Sequence, residues 1–206
     1  MNMRNLILYF LLSSALSAAV IVGDGMRGGA DFGKDNRYYL AALRSFHGGQ
    51  WANASKWLDN LLKEFPDSGR RSTAVLLLGQ SLYKQEKFKE AYGVLSNSQP
   101  TAGDFADEYI YWMAECRVKL GNYDVADQHF RELLDKHPNS HRALAAAVGS
   151  ASMAVAQAKP NWHEAAERLE ERGGVFQDHA GGGLNSDLLQ EGGLLLAEAK
   201  LKQGDG

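Results

Sequence analysis

A single cysteine, four prolines and no surplus of basic residues limit what this 206-residue chain can be. With one thiol, Cys116, no intramolecular disulfide can form. Cys116 lies in an apolar stretch with Met113, Ala114 and Val118, where a free thiol packs as a small hydrophobe. So few prolines favour long helices. Basic and acidic residues nearly balance, 22 against 25, for a net charge of −3. That removes the basic footprint of a nucleic-acid binder and the polybasic patch of a membrane-surface protein.

Chemistry-bearing groups are equally sparse. His137 and His141 stand four apart, but Pro138 breaks the helix that would bring them to one face. No cysteine or carboxylate cluster completes a metal site, and no G-x-S-x-G or Ser/His/Asp spacing is present. Paired acids such as Glu170-Glu171 fit the solvated face of an amphipathic helix, and His129 and His163 are expected on such faces too. The reading is a protein with no metal, no cofactor and no catalysis.

The first 22 residues differ from the rest. Arg4 gives a positive start, residues 6–22 carry no charge and are mostly apolar, and small residues follow at Ser17-Ala18-Ala19 and Gly23. This is the layout of a secretory signal peptide, with cleavage expected after Ala19 or Gly23. An uncleaved anchor in the inner membrane is the alternative, since the run lies at the short end of a spanning helix. No cysteine follows it, so lipoprotein processing is excluded. Residues 23–34 then form a glycine-rich linker, leaving 35–206 as the folded domain.

That linker holds two near-motifs. Gly23-Asp24-Gly25-Met26-Arg27-Gly28 fits G-x-G-x-x-G, but Gly28-Gly29-Ala30 cannot open the required helix well, and no acid stands about 20 residues on. Gly28 with Gly33-Lys34-Asp35 approaches a phosphate-binding loop, yet Asp35 replaces the hydroxyl that would hold Mg²⁺. Neither has a strand before it other than the end of the leader. Both read as tether.

The informative signal is a repeat. An aromatic residue precedes an alanine by three positions four times: Trp51/Ala54, Phe88/Ala91, Tyr123/Ala126 and Trp162/Ala165, at spacings of 37, 35 and 39. A large apolar residue follows each alanine by four: Leu58, Leu95, Phe130 and Leu169. Twelve residues before each alanine stands a small or flexible one: Ala42, Gly79, Ala114 and Met153. Units end at Phe65-Pro66-Asp67-Ser68 and His137-Pro138-Asn139-Ser140, where proline stops one helix and Ser caps the next. Each unit is thus a helical hairpin that buries one face only by stacking on a neighbour.

This pattern resembles the tetratricopeptide repeat over residues 35–206. The expected fold is all-α, a right-handed solenoid of about four helical hairpins plus a final helix. The pairs are placed at 36–48 with 51–64, 70–86 with 88–97, 104–120 with 123–136 and 141–158 with 162–173. A glycine-rich break follows, then a helix at 187–203 capped by Asn185-Ser186. The segment Leu201-Lys202-Gln203-Gly204-Asp205 matches Val118-Lys119-Leu120-Gly121-Asn122, the turn before a second helix.

The wording at unit ends is similar to a bacterial envelope subgroup of these repeats, the cell-division coordinator and outer-membrane assembly types. The resemblance implies a periplasmic or otherwise exported adaptor that binds a protein or peptide, touching the membrane only through an uncleaved leader. The alternative is a structural or multimerisation module at the front of a longer repeat protein. In such arrays the first helix of each pair lines the inner face. Register then nominates Tyr39, Leu43 and Phe46, then Leu76, Gln80 and Tyr83, then Tyr111, Glu115 and Lys119 as partner-binding residues, an aromatic stripe unlike a carboxylate clamp.

Overall fold

The computed structural model describes residues 33–171, 174–181 and 187–204. The leader at 1–22, all but the end of the linker at 23–34, and the expected cap Asn185-Ser186 lie outside the described residues. The described chain is helical, with no strand among these residues. In order come α1 (Lys34–His47), α2 (Trp51–Glu64), α3 (Arg71–Lys84), α4 (Phe88–Ser98), α5 (Ala106–Lys119), α6 (Tyr123–Lys136), α7 (Ala143–Ala156), α8 (Trp162–Glu170), α9 (Val175–Gly181) and α10 (Asp187–Gln203). Two 3₁₀ turns, Gln99–Thr101 and Gly103–Phe105, join α4 to α5. No described helix is long and apolar enough to cross a membrane.

Each helix packs chiefly on the next, α1 on α2 through α7 on α8, and α10 then packs on α8. Consecutive first helices also touch, α1 with α3, α3 with α5, and α7 with α10. This is a helical solenoid.

The two helix types follow from their sequences. The second helices α2 and α6 bury a single stripe, Ala54, Leu58 and Leu61 in one, Ala126, Phe130 and Leu133 in the other. Those spacings of four and three keep the stripe on one face while charged residues cover the other. The first helices α3, α5 and α7 are buried nearly all round, because each lies between its own second helix and the preceding one. Leu58, Leu95 and Phe130, the apolar repeat positions, are wholly buried. Each such side chain contributes roughly 1.5–3 kcal/mol by leaving water. Cys116 is buried as expected, and burial pushes its thiol up to about 12.

Close approach of helices needs small residues at defined points. A Cβ on Gly79 would stand 2.7 Å from Leu95, and one on Gly149 would stand 2.8 Å from the Phe130 ring. The small run Gly149-Ser150-Ala151-Ser152 therefore makes room for its neighbours. Ser150 also donates a 2.7 Å hydrogen bond to Asp127, and Arg168 of α8 bridges Asp127 and the Ser150 carbonyl at 2.7 and 2.6 Å.

The C-terminal part departs from the sequence reading. The glycine-rich break contains α9, whereas α10, with Gly192 and Gly193 inside it, lies where the final helix was expected. Gly192 faces the ring of Phe176, which leaves no room for a Cβ. A seven-residue helix has too little periodicity to be read from sequence; packing of Phe176 and of α9 against α7 holds it.

Candidate functional site

A recurring left-handed residue sets the register of the first helices. Gly49, Glu86, Gly121 and Gly204 have φ of 69°, 62°, 71° and 87°. They close α1, α3, α5 and α10. Only α7 ends otherwise, with Gln157 extended (φ −68°, ψ 164°) and the Asn161 N–H donating to the Ala154 carbonyl.

Counting back from these residues sorts the nominated site. Ten, seven and three positions earlier lie Tyr39, Ala42 and Phe46; then Leu76, Gly79 and Tyr83; then Tyr111, Ala114 and Val118. All are buried. These rows meet the second helices. Phe46 packs edge-on to Trp51, Tyr83 edge-on to Phe88, and Tyr111 lies 6.3 Å from Phe130. Tyr39, Phe46, Leu76, Tyr83 and Tyr111 therefore support the hairpins and do not form the exposed aromatic stripe expected from register alone. Covering by each unit's own second helix is the physical reason.

Six positions before the left-handed residue a different row runs along the first helices: Leu43, Gln80 and Glu115. Leu43 and Gln80 are half-buried, as is Lys119. Glu115 is 2% exposed. The structure brings Tyr83, Tyr111, Glu115 and Lys119 into one cluster and leaves Tyr39, Leu43 and Phe46 at the other end of the array.

The cluster's electrostatics are unusual. The Tyr83 hydroxyl donates to Glu115 Oε2 at 3.2 Å, while Glu115 Oε1 is buried without a hydrogen-bond partner. Burial pushes the Glu115 carboxyl up, and the Tyr83 hydroxyl and Lys119 act against that rise. Burial likewise lowers Lys119, opposed by Glu115 and Glu86, and raises the Tyr83 and Tyr111 phenols. The Lys119 ammonium lies 5.9 Å from the Tyr83 ring centroid.

Two residues that were not nominated belong here. Arg142 crosses from the start of α7 to lie over the Tyr111 ring, and it grips Glu108 through Nε at 2.7 Å and Nη2 at 3.2 Å. Its signal was legible, since Ser140-His141-Arg142 repeats Ser68-Gly69-Arg70. Glu191 of α10 had no such signal. Burial, then the charges of Glu115 and Asp187, push its carboxyl up to about 7. His129, expected on a solvated face, instead sits half-buried against Tyr92 and Glu132, and burial lowers it. Among the described residues no group of three or more His, Cys, Asp or Glu could hold a metal ion.

The comparisons with known proteins follow this geometry. Residues 47–133 match the family described as anaphase-promoting complex, cyclosome, subunit 3. No curated protein matches the sequence. The fold is similar to a tetratricopeptide repeat protein from Parabacteroides merdae, at TM-score 0.65 and 14% identity, over 82% of this chain and 61% of that one. The chain thus spans less than two thirds of that relative. It is also similar to nearly identical TPR-like repeats of a kinesin light chain, described as putative, from Podosopora anserina, at TM-score 0.62 and 17% identity, over 82% of this chain and 86% of the other.

Proposed function

We propose that this helical-repeat protein of the tetratricopeptide type is an exported scaffold that binds a protein or peptide segment in the cell envelope and performs no chemistry of its own. The leader-like residues 1–22 support export. The helical repeat fold supports partner binding, since stacked hairpins present an extended surface to a ligand.

One observation carries the site: Leu43 and Gln80, continued by Lys119, stay half-buried while the aromatic rows beside them are covered by the second helices. Gln80 and Lys119 offer polar contact to a bound segment, and Leu43 supplies apolar contact at the other end. Tyr83, Tyr111, Tyr39, Phe46 and Leu76 hold the row in shape from behind.

Selection from a random peptide library tests the reading. Peptides selected on the intact protein should lose at least tenfold in affinity to the double variant Leu43→Ala with Gln80→Ala, both half-buried positions, while helicity by circular dichroism is kept. Selected peptides that bind the variant equally well would move the site off this row. Export is tested separately by intact-mass analysis of the native protein, which should start near Val20 or Asp24; a cytoplasmic protein beginning at Met1 overturns it.

A further inference from the structure

The first and third hairpins run in step from end to end, so their residues pair off: Asp35 with Asp107, Tyr39 with Tyr111, Gly49 with Gly121, Ser68 with Ser140 and Arg70 with Arg142. In both, the arginine just after the hairpin lies over the tyrosine ring, 4.8 Å from the centroid for Arg70 and 4.5 Å for Arg142. The middle hairpin has Leu76 in the tyrosine's place and offers no ring.

One pairing fails. Arg142 turns two nitrogens to the Glu108 carboxylate, Nε at 2.7 Å and Nη2 at 3.2 Å. The counterpart of Glu108 is Asn36, which carries no charge. Asp35 beside it is engaged by the Ser68 hydroxyl at 2.8 Å. Among the described residues no carboxylate is ion-paired with Arg70, and Arg70 is exposed.

An exposed arginine is ordinarily left to water. Arg70 differs because its position is fixed. Stacking on the ring of the buried Tyr39 holds the guanidinium fork in place, so less freedom is lost when two N–H groups close on a carboxylate. Arg142 shows, within the same protein, what a fork so placed takes: the side-chain carboxylate of a glutamate. The open fork also stands beside the candidate binding row, because Tyr39 lies one turn before Leu43 on α1.

We propose that Arg70 is a carboxylate-binding subsite of that row. The bound segment carries a glutamate or aspartate side chain, gripped by the Arg70 guanidinium as Glu108 is gripped by Arg142, and an apolar residue that meets Leu43. This assignment rests on the row being the binding surface, and it makes the partner an acidic, partly apolar segment whose charge sets its register.

The test uses peptides selected on the full protein from a random library, then synthesised with free and with amidated C-termini and titrated by fluorescence anisotropy. The binders are expected to share an acidic residue. Changing that residue to its amide should cost roughly fivefold in affinity, and Arg70→Gln should cost the acidic peptide the same while costing the amide peptide little. Because Arg70 is exposed, Arg70→Gln should leave the melting curve nearly unchanged. Asn36→Glu supplies the missing carboxylate from within, so it should raise the thermal midpoint and weaken the acidic peptides comparably, whereas Asn36→Gln does neither. A selection that returns no shared acid, or acidic peptides indifferent to Arg70→Gln, overturns the proposal. Loss of binding on amidation alone also overturns it, since the carboxylate would then be terminal. The row is judged apart. Peptides weakened by Leu43→Ala with Gln80→Ala but not by Arg70→Gln leave the row standing and strike only the subsite, while peptides that tolerate the double variant remove both.

Discussion

Arg142 lies over the ring of Tyr111 with its guanidinium carbon 4.5 Å from the ring centroid, and two repeat units earlier Arg70 lies over Tyr39 at 4.8 Å. The parallel extends to the turns, where Ser68 donates to Asp35 at 2.8 Å and Ser140 to Asp107 at 2.5 Å. Only the second copy is anchored. Glu108, itself buried, accepts from Arg142 and from Trp112 Nε1 at 2.9 Å and lies 2.7 Å from His141 Nε2, whereas Asn36 occupies its place in the first unit.

The two arginines should therefore differ in thermal denaturation. Arg142→Ala strands a buried carboxylate and is expected to destabilise by roughly 2–4 kcal/mol. Arg70 is exposed, so Arg70→Ala removes little beyond its stacking on Tyr39, about 0.5–1 kcal/mol. Equal losses would show that the Glu108 anchor carries no stability.

Three glycine-to-alanine changes should separate by sign. Gly79→Ala and Gly149→Ala drive a methyl into Leu95 and Phe130, which cannot withdraw from the core, so each is expected to destabilise by about 1–3 kcal/mol. Gly93 lies inside α4 with open space around it, and Gly93→Ala should stabilise by about 0.5–1 kcal/mol. Urea denaturation of the three variants reads this directly, and a destabilising Gly93→Ala would refute the account of how α4 packs.

The repeat anchors made the helical pairs legible. Trp51/Ala54/Leu58 and Tyr123/Ala126/Phe130 repeat a steric requirement, so their spacing fixed α2 and α6, and the solenoid with them. The glycine-rich break hid α9, because seven residues carry too little periodicity to be read as a helix. The Phe176 ring of α9 packs where Gly192 has no side chain, a tertiary fact. The candidate site was half legible. Register nominated the row of Leu43, Gln80 and Glu115, but it could not show that the second helices cover Tyr39, Tyr83 and Tyr111. Glu191 comes to influence Glu115 only through the packing of the C-terminal helices.

Glu86 occupies the left-handed position that glycine fills in three other first helices, at φ 62°. A non-glycine residue there is strained by about 1–2 kcal/mol. Glu86→Gly is expected to recover about 1 kcal/mol, reduced by the greater freedom of glycine in the unfolded chain. A variant melting below the parent would mean that the attraction between Glu86 and Lys119 outweighs the backbone strain.

Glu191 predicts a pH-dependent difference. Burial, and then the charges of Glu115 and Asp187, hold its carboxyl at about 7 in the folded chain, against an ordinary value of 4.5. Between those values the folded state binds the proton and the unfolded state has released it, so folding stability falls as pH rises from about 4.5 to about 7. Gln at this position cannot ionise and escapes that loss. Glu191→Gln should match the parent below pH 4.5, gain on it through neutrality, and level off above pH 7. Because the side chain is partly solvated, the plateau is expected at about 1–2 kcal/mol. His129 and Glu132, which shift downward and strengthen the fold as pH rises, act alike in both proteins and cancel in the difference. Paired denaturation curves at pH 4, 5.5, 7 and 8 measure it. A difference that stays constant across this range would show that the glutamine acts through packing and not through the Glu191 charge.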